Sequence, residues 1–195
     1  IEDVGCVLTA KYGAQGKVAV GQTSYEYGGK LYLSGDNGNA HSSHQNGRDA
    51  DIGFFFRDQK GQLISMQTVM IDTNTNIIDP RFDLEANWFF VREFARHDLA
   101  EMIIIHGILA ESIINFAKED CGKRGSSCTQ DDKALITRAQ KLMSNPKGEY
   151  FSGELGYDHR HHFHIRIKCP VGDSLCESKY QKCENYIAIA NNDNN

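Results

Sequence analysis

Several things are scarce in this sequence, and each scarcity excludes something. Proline occurs three times and tryptophan once in 195 residues. There is no basic excess: 21 Lys and Arg face 26 Asp and Glu, a formal net charge of -5. A nucleic-acid binder needs a basic face for phosphates, and no Lys/Arg cluster supplies one. No apolar run is long enough for a transmembrane segment. The most apolar stretch, 102–114, is interrupted by His106, Gly107, Glu111 and Ser112. No signal-peptide pattern opens the chain, and it starts at Ile1 rather than Met, so a mature or trimmed form is expected. No close C-x2-C pair occurs, which argues against a structural zinc cluster. No Pro/Ser-rich linker divides the chain, which predicts one domain over 1–190 and a polar, disordered tail over 191–195.

What is present reads as an ordinary globular domain, with 40% apolar and 24% charged residues. Six cysteines form an even, dense set: Cys6, Cys121, Cys128, Cys169, Cys176 and Cys183. Such a set points to disulfides and to an oxidising compartment, hence a periplasmic or secreted protein.

About the first 40 residues are Gly-rich with short β-type runs at 17–20 and 30–33. Runs 51–57 and 63–71 are β-rich and joined by Asp58-Gln59-Lys60-Gly61, a hairpin turn. Phe54, Phe55 and Phe56 in succession predict a strand buried on both faces. Helical spacing of Leu84, Trp88, Val91 and Ala95 predicts a helix over 83–96 with Asp83 as N-cap and Trp88 in the core. A buried strand follows at 101–105, then a helix over 108–117 stopping near Cys121-Gly122, a loop at 122–127, and an amphipathic helix over 131–144. Alternation over 163–168 predicts another strand. The fold class expected is α+β, a small antiparallel sheet with flanking helices.

The chemistry concentrates in two segments, 41–51 (HSSHQNGRDAD) and 157–164 (YDHRHHFH), which hold six of the eight histidines. Imidazole nitrogen and carboxylate oxygen are zinc donors at roughly 2.0–2.2 Å, and a catalytic site takes three of them. His44 and an Asp of the first segment supply one of each across a loop that Gly47 lets turn sharply. His162 and His164, two apart, project from one face of a strand. Four candidates, His44, Asp51, His162 and His164, therefore compete for three places, and spacing alone does not choose Asp51 over Asp49. Residues 159 and 162 have opposite strand parity, so a bend is needed before His162. His161 is read as a solvent-facing or outer histidine, His106 as a core or cap residue, and Arg48 as a solvated flank.

The two segments resemble the penicillin-insensitive murein endopeptidases of the LAS group, which also includes lysostaphin-type enzymes, D-Ala-D-Ala metallopeptidases and the hedgehog domain. The group pattern S-x-H-x(6)-D followed by H-x-H is matched by Ser42, His44, Asp51, His162 and His164. The longer endopeptidase signatures add His41, Ser43, Gln45, Gly47 and Asp49, then His159, Arg160, Arg166, Cys169 and Pro170. The likeness runs through about three quarters of the chain. It implies an LAS/hedgehog-like domain, one zinc ion, and cleavage of peptide cross-links in peptidoglycan. It implies His44, Asp51 and His164 as ligands, His159 and His162 as catalytic residues, His41 nearby and Asp49 behind a ligand. The bond implied joins D-Ala to meso-diaminopimelate, or two diaminopimelates. The pattern also implies Cys169–Cys176 and Cys121–Cys183 disulfides, which leaves Cys6 for Cys128.

Many zinc proteases use a Glu as base, but no H-E-x-x-H motif occurs and neither segment contains Glu. Histidine is the substitute that titrates near neutral pH. His162 is expected as base, with His159 orienting it or stabilising the oxyanion, roles that can be exchanged. Two rivals stand beside this reading: a D,D-carboxypeptidase acting on stem peptides, and a non-catalytic zinc-stabilised cell-wall-binding module.

Overall fold

The computed structural model describes residues 2–23, 44, 47–72, 74–152 and 159–169. In chain order these form α1 (Glu2–Tyr12), β1 (Val20–Thr23), β2 (Asp49–Arg57), β3 (Leu63–Met66), β4 (Ile71–Asp72), β5 (Ile77–Ile78), α2 (Leu84–Arg96), β6 (Ala100–Ile104), α3 (Gly107–Arg124), α4 (Gln130–Leu142) and β7 (His162–Ile167). The main sheet has the order β1-β2-β7-β6, with β3 also paired to β2. Every pairing is antiparallel. The architecture is α+β, and no helix among the described residues is long and apolar enough to cross a membrane.

Strand alternation gives the central strands two different faces. Ala50 pairs with Ile165 and Ile52 with Phe163, and all four are buried in the main core. Phe163 meets Phe54 and Phe90 with ring centroids 4.8 and 5.1 Å away, which joins β7 to β2 and to α2. Phe54, Phe55 and Phe56 are all buried, as the run of three aromatics predicts. On the other face Asp49 pairs with Arg166, Asp51 with His164 and Gly53 with His162. Met102 and Ile104 of β6 share this polar face through their pairing with Arg166 and His164, and with Phe151 they form a small second apolar cluster.

Capping follows the local sequence. Asp83 caps α2, accepting from the Ala86 amide at 2.9 Å. Asn87, fully buried, donates to Phe55 O at 2.7 Å and accepts from Phe55 N at 3.0 Å, fastening α2 to β2. Trp88 is core. His106 caps α3 through Nδ1, which accepts from the Ile108 amide. Burial and then the Arg160 charge hold His106 below the usual histidine range, which suits an accepting ring.

The structure corrects several expectations. Within the first 40 residues, read as Gly-rich with short β-type runs, residues 2–12 form a helix with Val4 and Leu8 as the buried positions. The strand expected at 17–20 lies at Val20–Thr23, and the run at 30–33 is outside the described residues, as is the tail. The run 63–71 is not one strand. After Met66 its backbone turns to another partner, with Thr68 N donating to His161 O and Met70 N to Arg160 O. The helix expected to end near Gly122 continues to Arg124 and stops at Gly125, whose φ of 55° is in the left-handed region.

That last turn also overturns the disulfide scheme. Cys121 is bonded to Cys128, with Cα atoms 5.1 Å apart, so neither Cys121–Cys183 nor Cys6–Cys128 forms. The chain folds back over Gly125–Ser127 and brings both thiols together at the edge of the core. Cys6 is an exposed free thiol on α1. Cys169 is disulfide-bonded, and its expected partner Cys176 lies outside the described residues.

Candidate metal centre

The polar face of β2 and β7 builds the site. Register places Asp51 directly across from His164, so the two side chains point to the same side of the sheet. His44 reaches the same point from the loop ahead of β2. Its own φ is 56° and that of Gly47 is 74°. A histidine held at positive φ is a form of strain found at functional sites.

One oxygen is the focus. Asp51 Oδ1 lies 3.2 Å from His44 Nε2, 3.1 Å from His164 Nδ1 and 3.3 Å from His162 Nε2. All four residues are buried. Burial opposes ionisation of Asp51, but hydrogen bonds from His162, His164 and His44 outweigh it and hold the carboxyl well below the usual carboxylate range. Three imidazoles around an ionised carboxylate are the donor types a divalent transition metal takes.

A second carboxylate stands behind His164. Its Nε2 donates to Asp49 Oδ1 at 2.9 Å, and Arg166 Nε donates to the same oxygen at 2.6 Å. Burial works against the Asp49 charge, yet His164 and Arg166 keep its carboxyl well below the usual range. For His164, burial disfavours the cation, but Asp49 and Asp51 on its two nitrogens raise its pKa above the usual histidine value. With Nε2 committed to Asp49, Nδ1 is the nitrogen left for a metal. Asp49 therefore fixes the orientation of the His164 ring, which leaves Nδ1 facing the donor cluster.

Among the described residues, two donor groups are geometrically able to hold an ion: His44, Asp51 and His164, and His159, His162 and His164. They share His164, so they are alternative partners for one ion bound there. His159 is half-buried, with its ring 5.0 Å from that of His162 and 5.4 Å from that of His164. The required bend is present: β7 begins only at His162, and residues 159–161 are turn and bend. Their carbonyls accept from His106 N, Met70 N and Thr68 N, which fixes the bend from outside. His41 lies outside the described residues.

Two arginines were underrated by sequence reasoning. Arg48, expected to be solvated, is buried; its Nε donates to Ile167 O at 2.9 Å and its terminal nitrogen pairs with Glu101. This locks the loop next to Asp49 against β6 and β7. Arg166 is the third member of H-x-H-x-R, and period-two alternation was the available signal that it shares the site's face.

Asp49→Asn is expected to lower metal affinity by about 10–100-fold while the fold persists, because it weakens the orientation of His164 without removing a ligand. Competition with a chromophoric chelator measures this, and unchanged affinity would remove Asp49 from the site. No family model and no curated protein matches the chain.

Proposed function

We propose that the chain is a zinc-dependent peptidoglycan endopeptidase that hydrolyses D-Ala–meso-diaminopimelate cross-links, or diaminopimelate–diaminopimelate ones, in the periplasm or outside the cell. The observation that carries the reading is the convergence of His44, Asp51 and His164 on one buried point, with His159 and His162 beside it. The resemblance of both segments to LAS murein endopeptidases supplies the substrate class and the LAS/hedgehog-like fold. The Cys121–Cys128 disulfide fits an oxidising compartment.

His44, Asp51 and His164 would hold a zinc ion, whose chemistry there would be Lewis acidity toward a carbonyl and a bound water. His162 presents Nε2 to the same point and accepts the proton released there. His159, nearer the surface, hydrogen-bonds the developing oxyanion or steadies His162. Asp49 and Arg166 hold the His164 ring with Nδ1 forward.

Incubation with Gram-negative sacculi, with and without a chelator, tests the reading by mass analysis of released muropeptides. Loss of cross-linked dimers, abolished by chelator and restored by zinc, is expected. Loss of terminal D-Ala alone would make the chain a D,D-carboxypeptidase. Binding of zinc and sacculi without any release would make it a binding module.

Loading depends on pH through His164. Its raised pKa means that protons compete for Nδ1 at higher pH than at an ordinary histidine. Metal affinity should rise as pH climbs through that value, with Asp51 ionised throughout. The metal-free chain should slope the other way. A raised folded-state pKa stabilises fully below the unfolded histidine value, and that contribution is lost as pH rises through the folded one. Thermal melts of zinc-loaded and metal-free protein across neutral pH check this, and parallel slopes would contradict it.

A further inference from the structure

We propose that His161 is a positioning residue that fixes the ring orientation and tautomer of His162 through a direct imidazole–imidazole hydrogen bond. The inference rests on the reading of His162 as the group that serves the metal centre. His161 Nδ1 lies 2.8 Å from His162 Nδ1, with ring centroids 4.4 Å apart and planes inclined at 56°. At that separation one nitrogen carries the hydrogen and the other offers its lone pair. The opposite nitrogen of His162, Nε2, faces the donor cluster, 3.3 Å from Asp51 Oδ1. Without a metal this nitrogen donates to Asp51; with Asp51 committed to a metal, accepting a hydrogen there requires Nε2 to present a lone pair. His162 in that tautomer carries its hydrogen on Nδ1 and donates it to His161 Nδ1. His161 occupies the place that an orienting carboxylate takes behind many catalytic histidines.

The backbone explains how neighbours in sequence come to face each other. On a regular strand residues 161 and 162 would project to opposite sides. Here β7 starts at His162, and His161 belongs to the bend before it. The bend is fixed by main-chain bonds, Thr68 N to His161 O at 3.0 Å and Met70 N to Arg160 O at 3.1 Å. These bonds do not involve the His161 ring, so substituting the ring leaves the loop anchored. His161 is half-buried and His162 buried, so the first ring sits outside the second.

Imidazole nitrogen-15 spectra of the zinc-loaded chain test the proposal together with turnover. Native His162 should show one tautomer, with the hydrogen on Nδ1. In H161A the His162 tautomers should mix, and kcat should fall roughly tenfold with KM and bound zinc unchanged, as for other outer partners of a metal site. H161N, whose amide oxygen can accept the same hydrogen, should restore the single tautomer and most of the rate. Should H161A fail to fold, H161F supplies a ring without nitrogen and the same comparison. The proposal is overturned if native His162 carries its hydrogen on Nε2, or if its tautomer is unchanged in H161A or H161F. If the native chain hydrolyses no muropeptide, the functional reading fails, and the tautomer comparison still decides this proposal by itself.

Discussion

Asp51→Asn is expected to empty the centre of metal, with affinity falling by more than about 100-fold, beyond what an outer partner costs, and hydrolysis falling with it. Its Oδ1 is the one oxygen shared by His44, His162 and His164, at 3.1–3.3 Å from all three rings. An amide removes the negative charge that a dication needs. The amide oxygen can still take the Oδ1 place and accept from the rings, so the loss reports the missing charge. The loss should exceed that of Asp49→Asn, because Asp49 touches the centre only through His164. Metal content after gel filtration, read beside muropeptide release, checks both substitutions. Stoichiometric zinc in D51N would refute the donor assignment.

Phe163→Ala should cost about 3–5 kcal/mol of stability, the range for truncating a fully buried aromatic. Phe163 lies between His162 and His164 in sequence and points to the opposite side of the sheet, where it packs on Phe54 and Phe90. Its exposure is 0%. The cavity would open at the junction of β2, β7 and α2, where nothing small can close it. A fall in melting temperature on the order of 10 °C follows for a chain of this size. F163L should lose much less. Thermal or urea denaturation of the metal-free protein isolates this effect from metal binding. A loss under about 1 kcal/mol would mean that the sheet and α2 are not joined through this ring.

Much of the site was legible because it obeys strand alternation. D-A-D on β2 and H-F-H on β7 each put two polar groups on one face and an apolar group on the other. What the pattern could not give was register. Only the pairing of Asp51 with His164 decides that His164, rather than His162, lies opposite the carboxylate. Arg48 was misread because its neighbours in sequence are polar, while its partners, Glu101 and Ile167, are distant. The helices with strong spacing and a cap, α2 and α4, were predicted within a residue or two. α1 was missed because its buried side is narrow, Val4 and Leu8, and a glycine sits between them. The partners of Cys121 and Cys128 were misassigned because the pattern the chain resembles has no counterpart to Cys128, and the return of the chain after Gly125 is a property of the turn.

Asp51 and His164 are 113 residues apart in sequence yet adjacent in space. A metal ion gripping both would therefore act as a cross-link closing most of the chain into a ring. In the chain-entropy treatment, closing a loop of about 100 residues disfavours the unfolded ensemble by about 4.7 kcal/mol. The ring would also enclose α2, α3 and α4, so the part of the unfolded chain that carries these helices is the part whose freedom the ion would restrict. Loading such a centre would stabilise the folded chain by restricting the unfolded one, as well as supply chemistry.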